Sequence, residues 1–340
     1  MEAIDFLKTL PLYLFMNLFS IEPVIALQSY PIPAALWKAI TFLGNEEFFL
    51  LLMPLVYWCI NARLGLRLGL LVLLGDALNL VFKVLLALPR PYWIDSRVQS
   101  WAVDTTFGMP SIHAQNAAAI WTFFAGRSQK AWVWVGASIL ILLICLSRVA
   151  LGVHFSVDVL AGAVMGWMFL FVFYRLEPPA SAWFSRQSVS TQIVASTLLA
   201  VAVLLAWSLA KSISSPTAYF STLNDASAAY SWEPIVSRAG ALWGLGCGAA
   251  LAQRCARFEI DAAMARRLLC FVVGGIGVGL CWKGLAMFFP REPEILGLLF
   301  RFIRYALLTL WVIVGAPLLF MKLGWMRPRQ IEKLKVAGQE

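Results

Sequence analysis

Apolar runs of about twenty residues recur along this chain, separated by short polar or charged joints, and a run of that length is what a helix needs to cross a bilayer. A soluble domain does not carry so many. Hydrophobic residues make up 61% of the 340 residues and charged residues 13%, with a mean hydropathy of +0.79. Inside hydrocarbon every backbone N–H and C=O must find its partner within the segment, so the runs are expected to be helices. The predicted fold class is all-α, a polytopic membrane helical bundle of about nine transmembrane helices. They are placed at 36–60, 65–88, 110–126, 131–152, 154–175, 191–211, 236–254, 267–289 and 299–321.

A net charge of +9 would point to nucleic acid in a soluble protein, but here it follows the positive-inside rule and implies no nucleic-acid partner. Arg63 and Arg67, Arg127 and Lys130, Arg175 and Arg186, Arg254, Arg257, Arg266 and Arg267, and the tail from Lys322 to Lys335 fall in alternate joints. That side is expected to be cytoplasmic, which puts the N-terminus outside and the C-terminus inside. Glu2 and Asp5 replace a basic leader, so no cleavable signal peptide is expected. Residues 6–18 read as an interfacial amphipathic helix, with a further short span at 10–27 as the alternative.

The expected organisation is an interfacial segment over 1–35, a catalytic helical core over 36–176, a Pro- and Ser-rich cytoplasmic connector over 177–190, a four-helix membrane region over 191–321 and a basic tail over 322–340. Cys59, Cys145, Cys247, Cys255, Cys270 and Cys281 show no C-x-x-C pairing and read as small buried hydrophobes. No Asp/Glu cluster or His pair stands at metal-ligand spacing, so neither metal nor cofactor is expected.

The chain has two histidines, His113 in "GMPSIHAQN" and His154 in "LSRVALGVHFSVDVLAG", both at the outer ends of predicted spans. Asp158 follows His154 by four residues, one helical turn along, where it can accept the Nδ1 proton and leave Nε2 free as a nucleophile or base. Lys83 and Arg90 are seven apart, nearly two turns, and would align if their helix persisted to Pro89. Lys83, Arg90 and Arg148, with Ser111 and the backbone N–H groups opening the third span, offer fixed donors for the oxygens of a phosphate. With phosphorus held there, one histidine can attack while the other protonates the leaving alcohol.

The segments "KVLLALPRP", "PSIH" and "SRVALGVHFSVD" resemble, in order and spacing, the tripartite signature of the type-2 phosphatidate phosphatase superfamily, which includes acid phosphatases and vanadium haloperoxidases. The resemblance implies that His154 is a nucleophile forming a phosphohistidine, oriented by Asp158, and that His113 is the general acid for the leaving group and then base for water. It also implies that Lys83, Arg90, Ser111, Arg148 and the N–H of Ile112 bind the phosphate. Position 112 is often Gly in that pattern, and the bulk of Ile112 is expected to narrow the pocket without removing its N–H.

The stretch "GDALNLVFKVLLALPRPYW" and the run "LWGLGCG" look like the glucose-6-phosphatase branch, with nine spans, an outward N-terminus and a non-cytosolic active site, whereas "FLGNEEFFLLLMPLVYW" looks more like sphingosine-phosphate phosphatases. Asp158 weighs toward the lipid phosphatases. The expected function is an integral-membrane, metal-independent phosphatase acting on a lipid phosphate (phosphatidate, polyprenyl or sphingoid) at the non-cytoplasmic face. A sugar phosphatase, a lipid phosphotransferase and a non-enzymatic transporter or scaffold are the alternatives. The expected partners are thus a phosphorylated lipid or sugar phosphate and the membrane lipids.

Outside these motifs, Asp76 and Asn79 share a helical face with Lys83, and Asp76 is expected to steer that helix. The loop carrying Trp93, Asp95, Trp101 and Asp104 reads equally as an interfacial aromatic belt or a substrate-gating lid. Glu46 and Glu47 read as solvated, with binding of a polar headgroup as the alternative. Residues 191–340 show no recognisable chemistry, and Lys283, Arg291, Glu292, Glu294, Arg301 and Arg304 read as helix-end anchors.

Overall fold

The computed structural model describes residues 19–214, 228–261, 263–290 and 294–328; the helix expected at 6–18, Arg291, Glu292 and most of the basic tail lie outside them. The described helices are α1 (Glu22–Ser29), α2 (Ala34–Phe42), α3 (Glu46–Cys59), α4 (Ala62–Leu86), α5 (Pro91–Ile94) and α6 (Ile112–Ala125). They continue as α7 (Ala131–Ala150), α8 (Ser156–Arg186), α9 (Val189–Ile213), α10 (Glu233–Cys255), α11 (Met264–Phe288) and α12 (Glu294–Lys322). A two-residue antiparallel ribbon pairs Phe258–Glu259 with Arg327–Pro328, joining the α10–α11 connection to the chain after α12.

Among the described residues, eight segments are long and apolar enough to cross a membrane, beginning with Ala34–Cys59, which α2 and α3 build together. The predicted third span is different. α6 has 14 residues, a rise of about 21 Å at 1.5 Å per residue, against a hydrocarbon core of about 30 Å. Its neighbours cover it: every residue from Ala114 to Ile120 is buried. Elsewhere Leu160, Met168, Phe171, Leu198, Leu205 and Leu209 stand exposed on the outside of long helices, a surface that only lipid satisfies. The protein is a multi-pass helical membrane protein.

Small residues let the site helices meet. A Cβ on Gly162 would lie 2.3 Å from Ser111 O, and one on Gly166 would lie 2.3 Å from Gln115 O. These two glycines, four apart on α8, bring its backbone against α6 and so fix the His154 end of one helix to the Ser111 end of the other. On the far side of the bundle, single π turns in α11 (Leu280–Gly284) and α12 (Trp311–Gly315) interrupt the α-helical ladder. The second turns carbonyls toward the core, where Trp58 Nε1 donates to Val312 O at 2.8 Å and Tyr57 Oη to Ile313 O at 3.2 Å.

Three local expectations are corrected. The helix holding Lys83 ends at Leu86, not Pro89, because Ala87 turns left-handed at φ 48°, so Lys83 and Arg90 do not align along a helix. The connector expected at 177–190 is helical as far as Arg186. Glu177 holds the Pro178–Pro179 turn from the side, pairing with Arg67 at 2.8 Å and accepting from Ser181 Oγ at 2.9 Å, and the chain breaks only where Ser188 caps α9. Cys255 is exposed at the end of α10, although Cys59, Cys247 and Cys270 are buried as expected.

Candidate active site

His154 sits in the short junction between α7 and α8, just ahead of the N-cap Phe155 rather than on the helix itself. Asp158, in the first turn of α8, reaches back over that junction: its Oδ2 accepts from Phe155 N at 2.9 Å and lies 3.3 Å from His154 Nδ1. A carboxylate at a helix N-terminus is favoured by the unpaired N–H groups there, so the same residue caps the helix and sets the imidazole. With the Nδ1 proton facing Asp158, Nε2 is left as the lone-pair nitrogen; it lies 3.4 Å from Arg90 Nη1. His154 and Asp158 are both fully buried.

The three predicted cations converge from three places. Lys83 comes from the last turn of α4, Arg90 from the N-cap of α5 and Arg148 from the last turn of α7. All are buried, and the loop before α6 holds two of them. Lys83 Nζ donates to the carbonyls of Phe107 and Gly108, and Arg90 donates to Thr106 O at 2.6 Å, Phe107 O at 3.1 Å and Val153 O at 2.8 Å. Asp104 bridges the arginines, 2.8 Å from Arg90 Nη2 and 3.7 Å from Arg148 Nη2. Loop 104–108 therefore holds Lys83 and Arg90 through its backbone carbonyls. Burial alone would raise the Asp104 carboxyl, but Arg90, Lys83 and Arg148 outweigh it and hold the group well below the usual carboxylate range.

Ser111 caps α6 without using its side chain: its N–H donates to Asp158 O at 2.9 Å, and its buried Oγ has no partner among the described residues. Arg148 uses Nη1 on Thr41 Oγ1 at 3.0 Å and leaves its buried Nε likewise unpartnered. Ile112 follows at the first position of α6, so its N–H belongs to the unsatisfied helix terminus as the sequence implied. His113 faces Asn45, Nε2 to Oδ1 at 2.9 Å. Among the described residues no group of three or more His, Cys, Asp or Glu is placed to hold a metal.

A cavity of about 580 Å³ opens beside this cluster, lined by His113, Ile112, Arg148, Asp104, Asn45 and Trp101 among others. His154, Lys83 and Arg90 do not line it. The cavity is also lined by Glu46, Asp76 and Arg238, of which the sequence reading gave only Asp76 a part in the site. Glu46, expected to be solvated, pairs with Arg238 of α10 at 2.9 Å and accepts from Tyr305 Oη of α12 at 3.3 Å. Asp76 accepts from Asn116 Nδ2 at 2.8 Å and lies 3.5 Å from Arg238 Nη2, so it ties α4 to α6 and α10 instead of touching Lys83. Asn79 completes the α4–α6 joint by donating to Gln115 Oε1 at 2.9 Å. Arg238 itself stands in an apolar run, "IVSRAGALWG", where a single intramembrane arginine was the available signal.

Residues 64–182, from α4 through α8, match the PAP2 superfamily, and residues 236–328 match the PAP2 superfamily phosphatase, transmembrane extension. The chain carries a PAP2 superfamily domain. Every predicted site residue lies within that domain, and the transmembrane extension accounts for most of α10 and all of α11 and α12. The PAP2 chain is 26% identical over 195 residues to glucose-6-phosphatase catalytic subunit 1 of Bos taurus, covering 47% of this chain and 52% of that one. It is 31% identical over 142 residues to sphingosine-1-phosphate phosphatase 1 of Mus musculus, covering 40% of this chain and 33% of the relative. The chain thus spans between a third and about half of these relatives' lengths. A solved structure, the PAP2-type phosphatidylglycerolphosphate phosphatase from Bacillus subtilis, is 27% identical with a TM-score of 0.40, covering 47% of this chain and 84% of that one.

Proposed function

We propose that this PAP2 protein is an integral-membrane phosphoric monoester hydrolase that works through a phosphohistidine on His154. The observation that carries the reading is His154 held between Asp158 and Arg90, with Ser111 bonded through its N–H to Asp158 O and Arg148 sharing Asp104 with Arg90, while the buried Ser111 Oγ and Arg148 Nε have no partner among the described residues. Buried donors without partners are unfavourable, and a phosphate oxygen satisfies them with charge-assisted bonds. The phosphate takes the place between Arg90 and Arg148 that the Asp104 carboxylate holds, and loop 104–108 lifts to admit it.

In the first step His154 Nε2 attacks phosphorus in line, an N–P bond forms, and the bond from phosphorus to the alcohol oxygen breaks as His113 gives that oxygen its proton. Asn45 keeps the His113 ring aimed. In the second step His113 takes a proton from water, whose oxygen bonds to phosphorus while the N–P bond breaks, and inorganic phosphate leaves. Lys83, Arg90, Arg148, Ser111 Oγ and the Ile112 N–H hold the three non-bridging oxygens and take up charge as it builds in the transition state.

The topology belongs to the same proposal: nine crossings, N-terminus outside, C-terminus cytoplasmic, and the site on the non-cytoplasmic face. The charge distribution supports it, as does the course of α6, which runs from Ser111 at the site to Arg127, whose guanidinium stacks on Phe123 beside that of Arg67. The substrate is a phosphomonoester of a lipid alcohol; a sugar phosphate is the second reading, favoured by the polar lining of the cavity.

The purified protein is expected to release inorganic phosphate from such an ester in EDTA, and rapid acid-free quenching is expected to trap a phosphoryl group on His154. Full turnover by His154→Ala would overturn the mechanism, as would transfer of the phosphoryl group to a second lipid with no free phosphate formed.

A further inference from the structure

The alcohol end of the cavity holds charged groups that the phosphate chemistry does not use. Glu46 on α3, Asp76 on α4 and Arg238 on α10 line the same space as His113 and Arg148. Two carboxylates face one guanidinium, leaving one negative charge in excess; Asp76 is 5% exposed and the Arg238 side chain 14%, while Glu46, at 33%, opens to the cavity. Each of the four carboxylate oxygens already accepts one bond from the protein. Glu46 Oε2 and Asp76 Oδ2 take Arg238 Nη2, Glu46 Oε1 takes Tyr305 Oη, and Asp76 Oδ1 takes Asn116 Nδ2.

A carboxylate oxygen has two lone pairs, so acceptor capacity is left over on a wall facing the cavity. A hydrocarbon placed against that wall would strip the carboxylates of water and return nothing. A hydroxyl or ammonium group would satisfy them. The phosphate side sets the register: Arg148, 3% exposed, lines the same cavity with a buried Nε that has no partner among the described residues, and His113 meets Asn45, the residue before Glu46, at 2.9 Å. A ligand whose phosphate reaches Arg148 and whose ester oxygen meets His113 therefore extends its alcohol toward Glu46, Asp76 and Arg238.

The geometry points to Glu46, Asp76 and Arg238 as the specificity-determining subsite for the leaving alcohol, selecting phosphomonoesters that carry hydroxyl or amino donors near the ester oxygen. This inference rests on the phosphatase reading and narrows it. Hexose phosphates and sphingoid phosphates carry such donors; phosphatidate, whose glycerol hydroxyls are acylated, and polyprenyl phosphates do not. It also gives the transmembrane extension a role in recognition, since Arg238 and Tyr305 both lie within residues 236–328.

The test compares kcat/KM of the full-length protein in detergent and EDTA on glucose 6-phosphate, sphingosine 1-phosphate, a diacyl phosphatidate, farnesyl phosphate and p-nitrophenyl phosphate. At least one of the first two is expected to exceed phosphatidate and farnesyl phosphate by about tenfold or more, the scale of one hydrogen bond to a charged acceptor. Which of the two leads identifies the source of the donors. Glu46→Gln is expected to shrink that ratio by about tenfold, and Tyr305→Phe, which removes a single hydroxyl, to shrink it by about threefold and serves if Glu46→Gln does not fold. Equal or better turnover of the donor-free lipids by the wild type, or an unchanged ratio in the folded variants, overturns the inference while leaving the phosphatase reading intact. Failure of the wild type on every ester, p-nitrophenyl phosphate included, overturns both.

Discussion

Asp104→Asn separates the role of the loop carboxylate from its structure. Asp104 Oδ1 accepts from Thr106 N at 3.2 Å and Thr106 Oγ1 at 2.9 Å, and an asparagine oxygen keeps both bonds, so the local turn survives the change. What is lost is the negative charge between Arg90 and Arg148. The 2.8 Å contact to Arg90 also runs to Oδ1, so asparagine keeps an acceptor there and loses only the ionic part of the bond, about 1–1.5 kcal/mol, while the 3.7 Å approach to Arg148 adds little. A phosphate that must displace the charged side chain is held back by about that much more than one displacing the amide. The substitution is expected to tighten binding of inorganic phosphate, the product, by about five- to tenfold. Arg90 keeps its bonds to Thr106 O, Phe107 O and Val153 O, so its side chain stays in place. The assay is the inhibition constant of inorganic phosphate against hydrolysis of a fixed ester, with the melting temperature as a control on folding. An inhibition constant that is unchanged or larger in a folded Asp104→Asn protein would refute the displacement of the carboxylate by phosphate.

Three further outcomes follow from the same geometry. The folded-state pKa of Asp104 is depressed below the unfolded carboxylate value of about 3.9, so its contribution is complete above that value and is lost only as pH falls through the lower one. The ratio of phosphate inhibition constants between wild type and Asp104→Asn should accordingly be flat from about pH 5 to 8; a ratio that collapses toward one on going to pH 5 contradicts the shift. Gly162→Ala drives a methyl into Ser111 O and must push α8 off α6, so activity is expected to fall at least about tenfold while Ala substituted at the open position Gly136 leaves it unchanged. His113→Ala should lower kcat/KM, which reports the step that expels the alcohol, by about a hundredfold or more on alkyl phosphates but far less on p-nitrophenyl phosphate, because nitrophenolate departs without a proton; equal losses of kcat/KM on both would remove His113 from the acid role.

The sequence determined a great deal here for physical reasons that act locally. Hydrocarbon admits helices and little else, so apolar runs gave the class and most of the spans. The residues of the candidate site were legible because each cation or histidine stood at a helix end, next to a proline, a serine at the N-cap or an aspartate one turn away, and these local features carry their own geometry. The spacing of His154 and Asp158 translated into a real contact for that reason. Where local rules were applied too far they failed: Pro178 and Pro179 read as a break although Arg67, distant in sequence, steadies Glu177 beside them.

Tertiary structure decided what lies opposite what. Nothing near Glu46 in the chain marks it as paired, since its partners Arg238 and Tyr305 are 192 and 259 residues away. Asp104 had the look of any interfacial loop aspartate until the fold set it between two arginines. The hold of loop 104–108 on Lys83 and Arg90 depends on backbone carbonyls, which every residue has and no sequence distinguishes. The residues of the candidate site were therefore written in the chain, while the loop contacts that hold Lys83 and Arg90 and the pairing of Glu46, Asp76 and Arg238 were made only when distant segments met.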